Sequence, residues 1–239
     1  MVEPTKIEEI NRSISLGFKN CEEIYQKDNK SQSGFYEIST QNKTILVYCE
    51  MNKGGIILIM KKQDRTTSNL EFNRSWFDYE NGFGSPYDKN YWLGLNDIHM
   101  LTSHGEKMNL HLEFYQVGTD KKYSVSYEDF SVGSNETSYM LRLGTRLYGN
   151  IDDWSNLHDN RTFSTFDKAT NLCPQLYSAG WWYEDCYSFC LTCENSQDYG
   201  NYDATFQDNI NETIHFDRIQ MLMGPFKSKT IFRRVRNQF

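Results

Sequence analysis

No stretch of this sequence stays apolar for long. The longest run, Ile56 to Met60, is fenced by Gly54-Gly55 and Lys61-Lys62. That is far short of the roughly 20 residues a membrane-crossing helix needs, and it reads as a buried strand. Positive charge is also in deficit: 25 Lys and Arg stand against 32 Asp and Glu, a net charge of -7 with a pI near 5.3. A phosphate-binding surface displaces counterions with clustered Lys and Arg, so nucleic acid and anionic membrane surfaces are disfavoured partners. Catalytic motifs are missing too. There is no nucleophile elbow, zincin helix or phosphate loop, and His99, His104, His111, His158 and His215 fall in no recognisable catalytic arrangement. Enzyme is therefore the weakest functional class. No charged, apolar, small-residue leader precedes Met1-Val2-Glu3-Pro4, as expected if a signal was removed or the chain is part of a longer one.

What is present is a globular balance: 239 residues, 38% hydrophobic, 24% charged and 15% aromatic. A β-rich domain of about this length need not split, so one domain is the default. Six cysteines, Cys21, Cys49, Cys173, Cys186, Cys190 and Cys193, lie in two distant groups, which fits a disulfide framework better than one metal cluster and places the protein outside the cytosol. Seven Asn-X-Ser/Thr sequons, at Asn11, Asn29, Asn42, Asn73, Asn135, Asn160 and Asn211, exceed the roughly three expected by chance and point to a secreted glycoprotein.

Periodicity sorts the chain. In residues 1–20, Thr5 with Glu8 resembles a capping box, and Ile7, Ile10 and Ile14 have helical spacing up to Gly17. This stub of helix or linker either packs on the domain or continues an upstream coiled coil that would oligomerise the protein. From Cys21 strands dominate. Thr44 to Cys49 and Ile56 to Lys62 are β-rich, and Met108, Leu110, Leu112 and Phe114 alternate with polar residues. Tyr123, Val125 and Tyr127, then Tyr139, Leu141 and Leu143, then Ile219, Met221 and Met223 do the same. Short helices are expected over Asn73 to Glu80, ended by Asn81-Gly82, and over Asn96 to Thr102 with Asn96 as cap. Mixed strands and helices without a βαβ rhythm give an α+β fold class. Residues 149–206 show no period and hold four of the six cysteines, so they need staples or a function. Residues 226–239 carry five cations and no acid; a solvated tail is the simplest reading.

At this point the motifs resemble a family. Cys21-Glu22-Glu23-Ile24 through Ser33-Gly34-Phe35-Tyr36, Val47-Tyr48-Cys49-Glu50-Met51, Phe72-Asn73-Arg74-Ser75-Trp76 and Asn81-Gly82-Phe83-Gly84 come first. Tyr91-Trp92-Leu93-Gly94, Phe163-Ser164-Thr165-Phe166-Asp167 and Gly180-Trp181-Trp182-Tyr183 follow, in the order found in fibrinogen C-terminal domains. The resemblance covers residues 21–225. It implies one extracellular fibrinogen-like domain: a central, mainly antiparallel sheet, short helices and a loop-rich C-terminal ligand face.

The resemblance also implies disulfides Cys21 to Cys49 and Cys173 to Cys186. Cys190 and Cys193 are additional. A redox Cys-X-X-Cys needs a thioredoxin-like setting that is absent, and zinc would compete with the family disulfide. A local bridge is expected, with pairing to another chain as the alternative. Family members that bind calcium carry an acidic loop after Phe-Ser-Thr. Here Phe166-Asp167-Lys168-Ala169-Thr170-Asn171-Leu172 is about four residues short, with Ala169 where an aspartate ligand is expected, so no calcium, other metal or cofactor is expected.

The acetyl-binding lectins of the family use a pocket beside that loop. Tyr177 matches a pocket tyrosine and Asp185-Cys186 a cis peptide, while Tyr187 stands where a histidine is common; Tyr199 and Tyr202 are candidates to refill the wall. His158 resembles the histidine of a structural turn. A tyrosine-rich cleft suits sugars or proteins. The expectation is a receptor or other protein partner, as in the angiopoietin-like group, with an acetylated-glycan lectin of innate immunity as the alternative.

Overall fold

Helix and strand boundaries follow from local chemistry in this computed structural model, which describes residues 17–41, 43–63, 72–103, 105–151, 153, 158–169, 171–184, 186, 190–193 and 216–225. Helix α1 (Cys21–Lys27) starts where the Asn20 side chain accepts the Glu23 amide at 2.9 Å, satisfying a donor that the first turn leaves unpaired. The hairpin β1 (Gly34–Ser39) and β2 (Thr44–Glu50) follows, then β3 (Ile56–Gln63). Between them Gly54 and Gly55 take φ of 92° and 83°, and a Cβ on Gly55 would lie 2.2 Å from the Cys21 carbonyl oxygen. That position therefore requires glycine.

Helix α2 (Trp76–Asn81) begins three residues later than expected, because Ser75 and Asp78 form a reciprocal capping box that Asn73 cannot provide. Short strands β4 (Phe83–Gly84) and β5 (Asn90–Trp92) lead to helix α3 (Leu95–Ser103). Asn96 is inside that helix rather than capping it; its Oδ1 accepts the Tyr139 hydroxyl at 2.5 Å. Strands β6 (Met108–Gln116) and β7 (Lys122–Val132) form the longest hairpin, followed by β8 (Leu141–Arg142) and β9 (Arg146–Gly149). The strand expected over Tyr139 to Leu143 shrinks to the two residues of β8. Ser138 and Tyr139 both lie in the left-handed region, φ 49° and 48°, so the chain turns where the alternation suggested extension. Helix α4 (Cys173–Leu176) and strand β10 (Phe216–Gly224) follow.

The last of the described strands goes into the middle. The sheet order is β1-β2-β3-β10-β6-β7-β8, with β5 beside β3 and β4, β9 beside β7, and every pairing antiparallel. Met221 of β10 sits opposite Met60 of β3 and Leu112 of β6, so the strand joins the two halves of the sheet through one buried core. The N-terminal stub and the basic tail lie outside the described residues, apart from Gly17 to Asn20.

Candidate recognition surface

The C-terminal region is built on a lattice of buried rings. Tyr79, Trp92, Phe163 and Trp182 pack with centroid separations of 4.9 to 6.1 Å. Such a lattice works only if each polar handle finds a partner. Trp182 Nε1 donates to the Tyr139 carbonyl at 2.7 Å, Trp92 Nε1 to the Tyr79 carbonyl at 2.9 Å, and the Tyr79 hydroxyl to the Phe72 carbonyl at 2.8 Å. The Tyr79 hydroxyl also accepts the Gly180 amide at 3.1 Å. A Cβ at Gly180 would meet the Tyr79 ring at 2.6 Å, so the close approach excludes any larger residue.

His158 belongs to this lattice. Its Nδ1 donates to the Trp182 carbonyl at 3.0 Å, which leaves Nε2 as the unprotonated nitrogen. Burial pushes its pKa down to about 4, against the carbonyl and with the Arg161 charge, so the ring is neutral at physiological pH. This agrees with the structural role expected for it.

Three disulfides staple the domain: Cys21 with Cys49, Cys173 with Cys186, and Cys190 with Cys193. The third pair is local, as its spacing suggested, and Thr192 Oγ1 ties the same segment to the Gly180 carbonyl at 2.6 Å. Bonds of this kind persist in oxidising compartments.

On this scaffold Thr165 and Lys168 exchange backbone hydrogen bonds, both 3.1 Å, closing a tight turn over Phe166 and Asp167. Asp167 Oδ1 accepts the Trp76 amide at 2.9 Å and the Thr165 hydroxyl at 2.8 Å, so it holds the start of α2 against the turn. Lys168 lies over the Trp76 ring at 3.6 Å, a cation–π contact. Gln175 of α4 donates to the Phe166 carbonyl at 2.8 Å. These ties place exposed apolar side chains on one contiguous run of elements: Phe166, Leu172 and Leu176 are 44%, 69% and 58% exposed, and Phe77, beside Trp76 on α2, is 70% exposed. Leu172 and Leu176 are joined by a backbone bond of 3.0 Å and share one face of the α4 turn.

The expected site residues fare differently. Tyr177 is not an exposed cleft residue. It is 5% exposed and stacked on Tyr183 at 6.3 Å, because α4 ends there and turns the ring inward. Cys186 is half-buried in its disulfide. Asp185, the peptide it makes with Cys186, Tyr187, Tyr199 and Tyr202 lie outside the described residues. Among the sequons, Asn29, Asn135 and Asn160 are exposed and Asn73 is half-buried; Asn11, Asn42 and Asn211 lie outside. The apolar group Phe166, Leu172 and Leu176 was missed. Its signal was the i, i+4 leucine pair in a segment with no apolar strand for it to cover.

This fold and its motifs define a class. The chain matches the family of fibrinogen beta and gamma chains, C-terminal globular domain, over residues 17–218, and belongs to it. Fibrinogen-like protein 1 of Bos taurus is 34% identical over 202 residues, 75% of this chain and 63% of that protein. Ryncolin-4 of Cerberus rynchops is 31% identical over 227 residues, 89% and 62%. The chain thus spans a little over three-fifths of these relatives. The fibrinogen-like globe domain of human ANGPTL6 superposes with a TM-score of 0.71 at 29% identity, covering 88% of this chain and 96% of that one. Lamprey fibrin D-dimer, solved with the peptide Gly-His-Arg-Pro-amide, shares the fold at 22% identity with a TM-score of 0.69, covering 86% and 72%.

Proposed function

We propose that this domain is a non-enzymatic extracellular recognition module that takes a protein partner through its C-terminal region. The observation that carries this reading is the exposed apolar group of Phe166, Leu172 and Leu176 on a segment tied down by a disulfide, a tight turn and the Asp167 contacts. Exposed apolar clusters on a rigid base mark protein contacts, and their desolvation supplies binding energy. Membership in a family of recognition domains supports the same class.

The acetylated-glycan reading has less behind it, since Tyr177, the residue it leaned on, faces the interior. Calcium in the family position is not part of the proposal: Asp167 Oδ1 already serves two donors, Lys168 brings a positive charge beside it, and Ala169 offers no side-chain oxygen. Oligomerisation through a coiled coil upstream of residue 21 would raise avidity without changing the site.

The test is capture of the glycosylated domain on a cell-surface receptor panel and on an acetylated-glycan array, with Leu172→Asp/Leu176→Asp compared to the unaltered chain. A tenfold or greater loss of receptor capture, with melting temperature nearly unchanged, is expected. Binding to acetylated glycans that the double variant leaves intact would replace this reading with the lectin one.

A further inference from the structure

The face of the sheet opposite the ring lattice is polar. His111, Glu113 and Tyr115 alternate along one side of β6, and the register sets Gln220 and Arg218 of β10 opposite Glu113 and Tyr115. The Glu113 carboxylate is buried and well served: Lys53 bonds it, Lys122 Nζ lies at 2.9 Å, the Tyr115 hydroxyl at 2.7 Å and His111 Nε2 at 3.2 Å. Its charge is spent on those neighbours.

Two further cations on the same face have no such carboxylate partner among the described residues. Arg218 and Lys61 occupy neighbouring strands, with Arg218 opposite Gln63 and Gln220 opposite Lys61, so period two puts both side chains on one side. Arg218 stacks on the Tyr115 ring at 3.6 Å, and its Nε is buried with no hydrogen-bond partner. Among the described residues, Lys61 Nζ donates to the Pro86 carbonyl at 3.1 Å. Neither forms an ion pair with a carboxylate among the described residues. Burial and the Arg218 charge lower the Lys61 pKa, partly offset by Glu50 and Asp88. In a chain of net charge -7, two partly buried cations on neighbouring strands with no carboxylate in salt-bridge contact among the described residues leave positive charge only partly compensated.

We propose that Arg218 and Lys61 form a subsite for a tetrahedral oxyanion, a sulfate or phosphate group, on the β3–β10 face, separate from the apolar C-terminal surface. The guanidinium is held flat by Tyr115, which aims its edge and spares the entropy of ordering it. The guanidinium and the Lys61 ammonium supply donors from two strands. Lys53, already bonded to Gln220 Oε1 at 3.1 Å, adds positive potential next to them.

The test uses the whole domain, isotope-labelled, titrated with sodium sulfate against sodium chloride at constant ionic strength and followed by amide and Arg Nε resonances. A saturable shift confined to β3 and β10 is expected, weakened about tenfold in Arg218→Gln and at least threefold in Lys61→Gln, and unchanged in Lys43→Gln, whose ammonium pairs with Asp97. If Arg218→Gln does not fold, as its spectrum would reveal, Lys61→Gln carries the test alone, because its head group makes one hydrogen bond among the described residues. A sulfated hexasaccharide binding tenfold more tightly than inorganic sulfate would assign the group to a polysaccharide, and equal affinity would assign it to the free anion. Shifts that fail to saturate, or that survive Lys61→Gln unchanged, overturn the proposal.

Discussion

The two halves of this domain solve the same problem differently. From β1 to β7, and again in β10, backbone donors and acceptors are paired by ladder bonds, and side chains are free to fill the core. Among the described residues from His158 to Cys193 no strand ladder forms: isolated bridges such as Ser164 with Trp181, the single turn of α4 and scattered backbone bonds such as Phe163 to Ser138 pair part of the backbone, and side chains meet further groups, Trp182 on Tyr139, His158 on Trp182, Thr192 on Gly180 and Tyr183 on Ala179. A buried backbone group must be paired somehow. Where the ladder is absent, each side-chain bond becomes individually important, so single substitutions should be more damaging and more specific there.

The largest effect that comparison predicts is at Trp182. Removing a fully buried Trp costs about 3–5 kcal/mol, and Trp182→Ala also deprives the Tyr139 carbonyl of its donor. Urea unfolding should show the loss. Trp182→Phe, which keeps most of the apolar volume, should still cost about 1–3 kcal/mol through the unpaired carbonyl. If Trp182→Phe unfolds like the unaltered chain, side-chain bonds do not hold this half together.

Acid should separate the halves next. His158 has a folded pKa of about 4 against an ordinary 6.5, so the unfolded state binds the proton first. The stabilising term is complete above pH 6.5 and is lost as pH falls from 6.5 to 4, by about 3 kcal/mol at 1.36 kcal/mol per unit. Glu113 works lower. Burial opposes its charge, but Lys53, His111 and Lys122 hold its pKa well below the ordinary value, so its contribution is present above the unfolded carboxylate value of about 4.3 and disappears only below it. His158→Asn should flatten the stability curve between pH 6.5 and 4, leaving a remnant from His111, whose pKa burial also lowers. Glu113→Gln should alter the curve below pH 4.3. Identical slopes for His158→Asn and the unaltered chain would show that His158 is not buried neutral.

The same contrast decides what was readable in the sequence. Strands β6 and β10 were legible from their alternation, and β2 and β3 from β-rich composition, β3 as an apolar run buried on both faces between Gly54-Gly55 and Lys61-Lys62. The strand read at Tyr139 to Leu143 failed because left-handed Ser138 and Tyr139 break a pattern that composition still displays. The disulfide pairs came from resemblance and proximity, and the structure contains them. Burial of Tyr177 was not legible. Whether a Tyr faces a cleft or a neighbouring ring depends on Tyr183 and the end of α4, which are set by tertiary packing. The Arg218 and Lys61 pair was hidden for a similar reason, since strands 157 residues apart in sequence become neighbours only when β10 enters the sheet.

Disulfide removal should produce a graded effect. Cross-links act mainly by restricting the unfolded chain, more for longer loops. The separations of 28, 13 and 3 residues then correspond to about 4, 3 and 2 kcal/mol on that chain-entropy scale. Paired Cys→Ala variants measured under one denaturant should follow that order. If the Cys190–Cys193 pair costs more than the Cys173–Cys186 pair, its contact with the Tyr183 hydroxyl at 3.1 Å contributes more than loop closure does.

The smallest expected response is to calcium. An ion that binds only the folded state raises the thermal midpoint by mass action, so a working site would respond to millimolar calcium and to chelator. Here Asp167 acts as a structural acceptor for α2, its Oδ1 taken by Trp76 and Thr165, and Lys168 is held on the Trp76 ring rather than directed away. A divalent cation would have to displace or oppose those contacts with one carboxylate, whereas calcium draws on six to eight oxygens. The midpoint is therefore expected to stay fixed in either additive, while Asp167→Ala lowers it equally in both through the loss of about 1 kcal/mol of hydrogen bonding. A chelator-sensitive midpoint that disappears in Asp167→Ala would show that the turn rearranges around the ion, and would return the C-terminal region to the calcium-dependent members of its family.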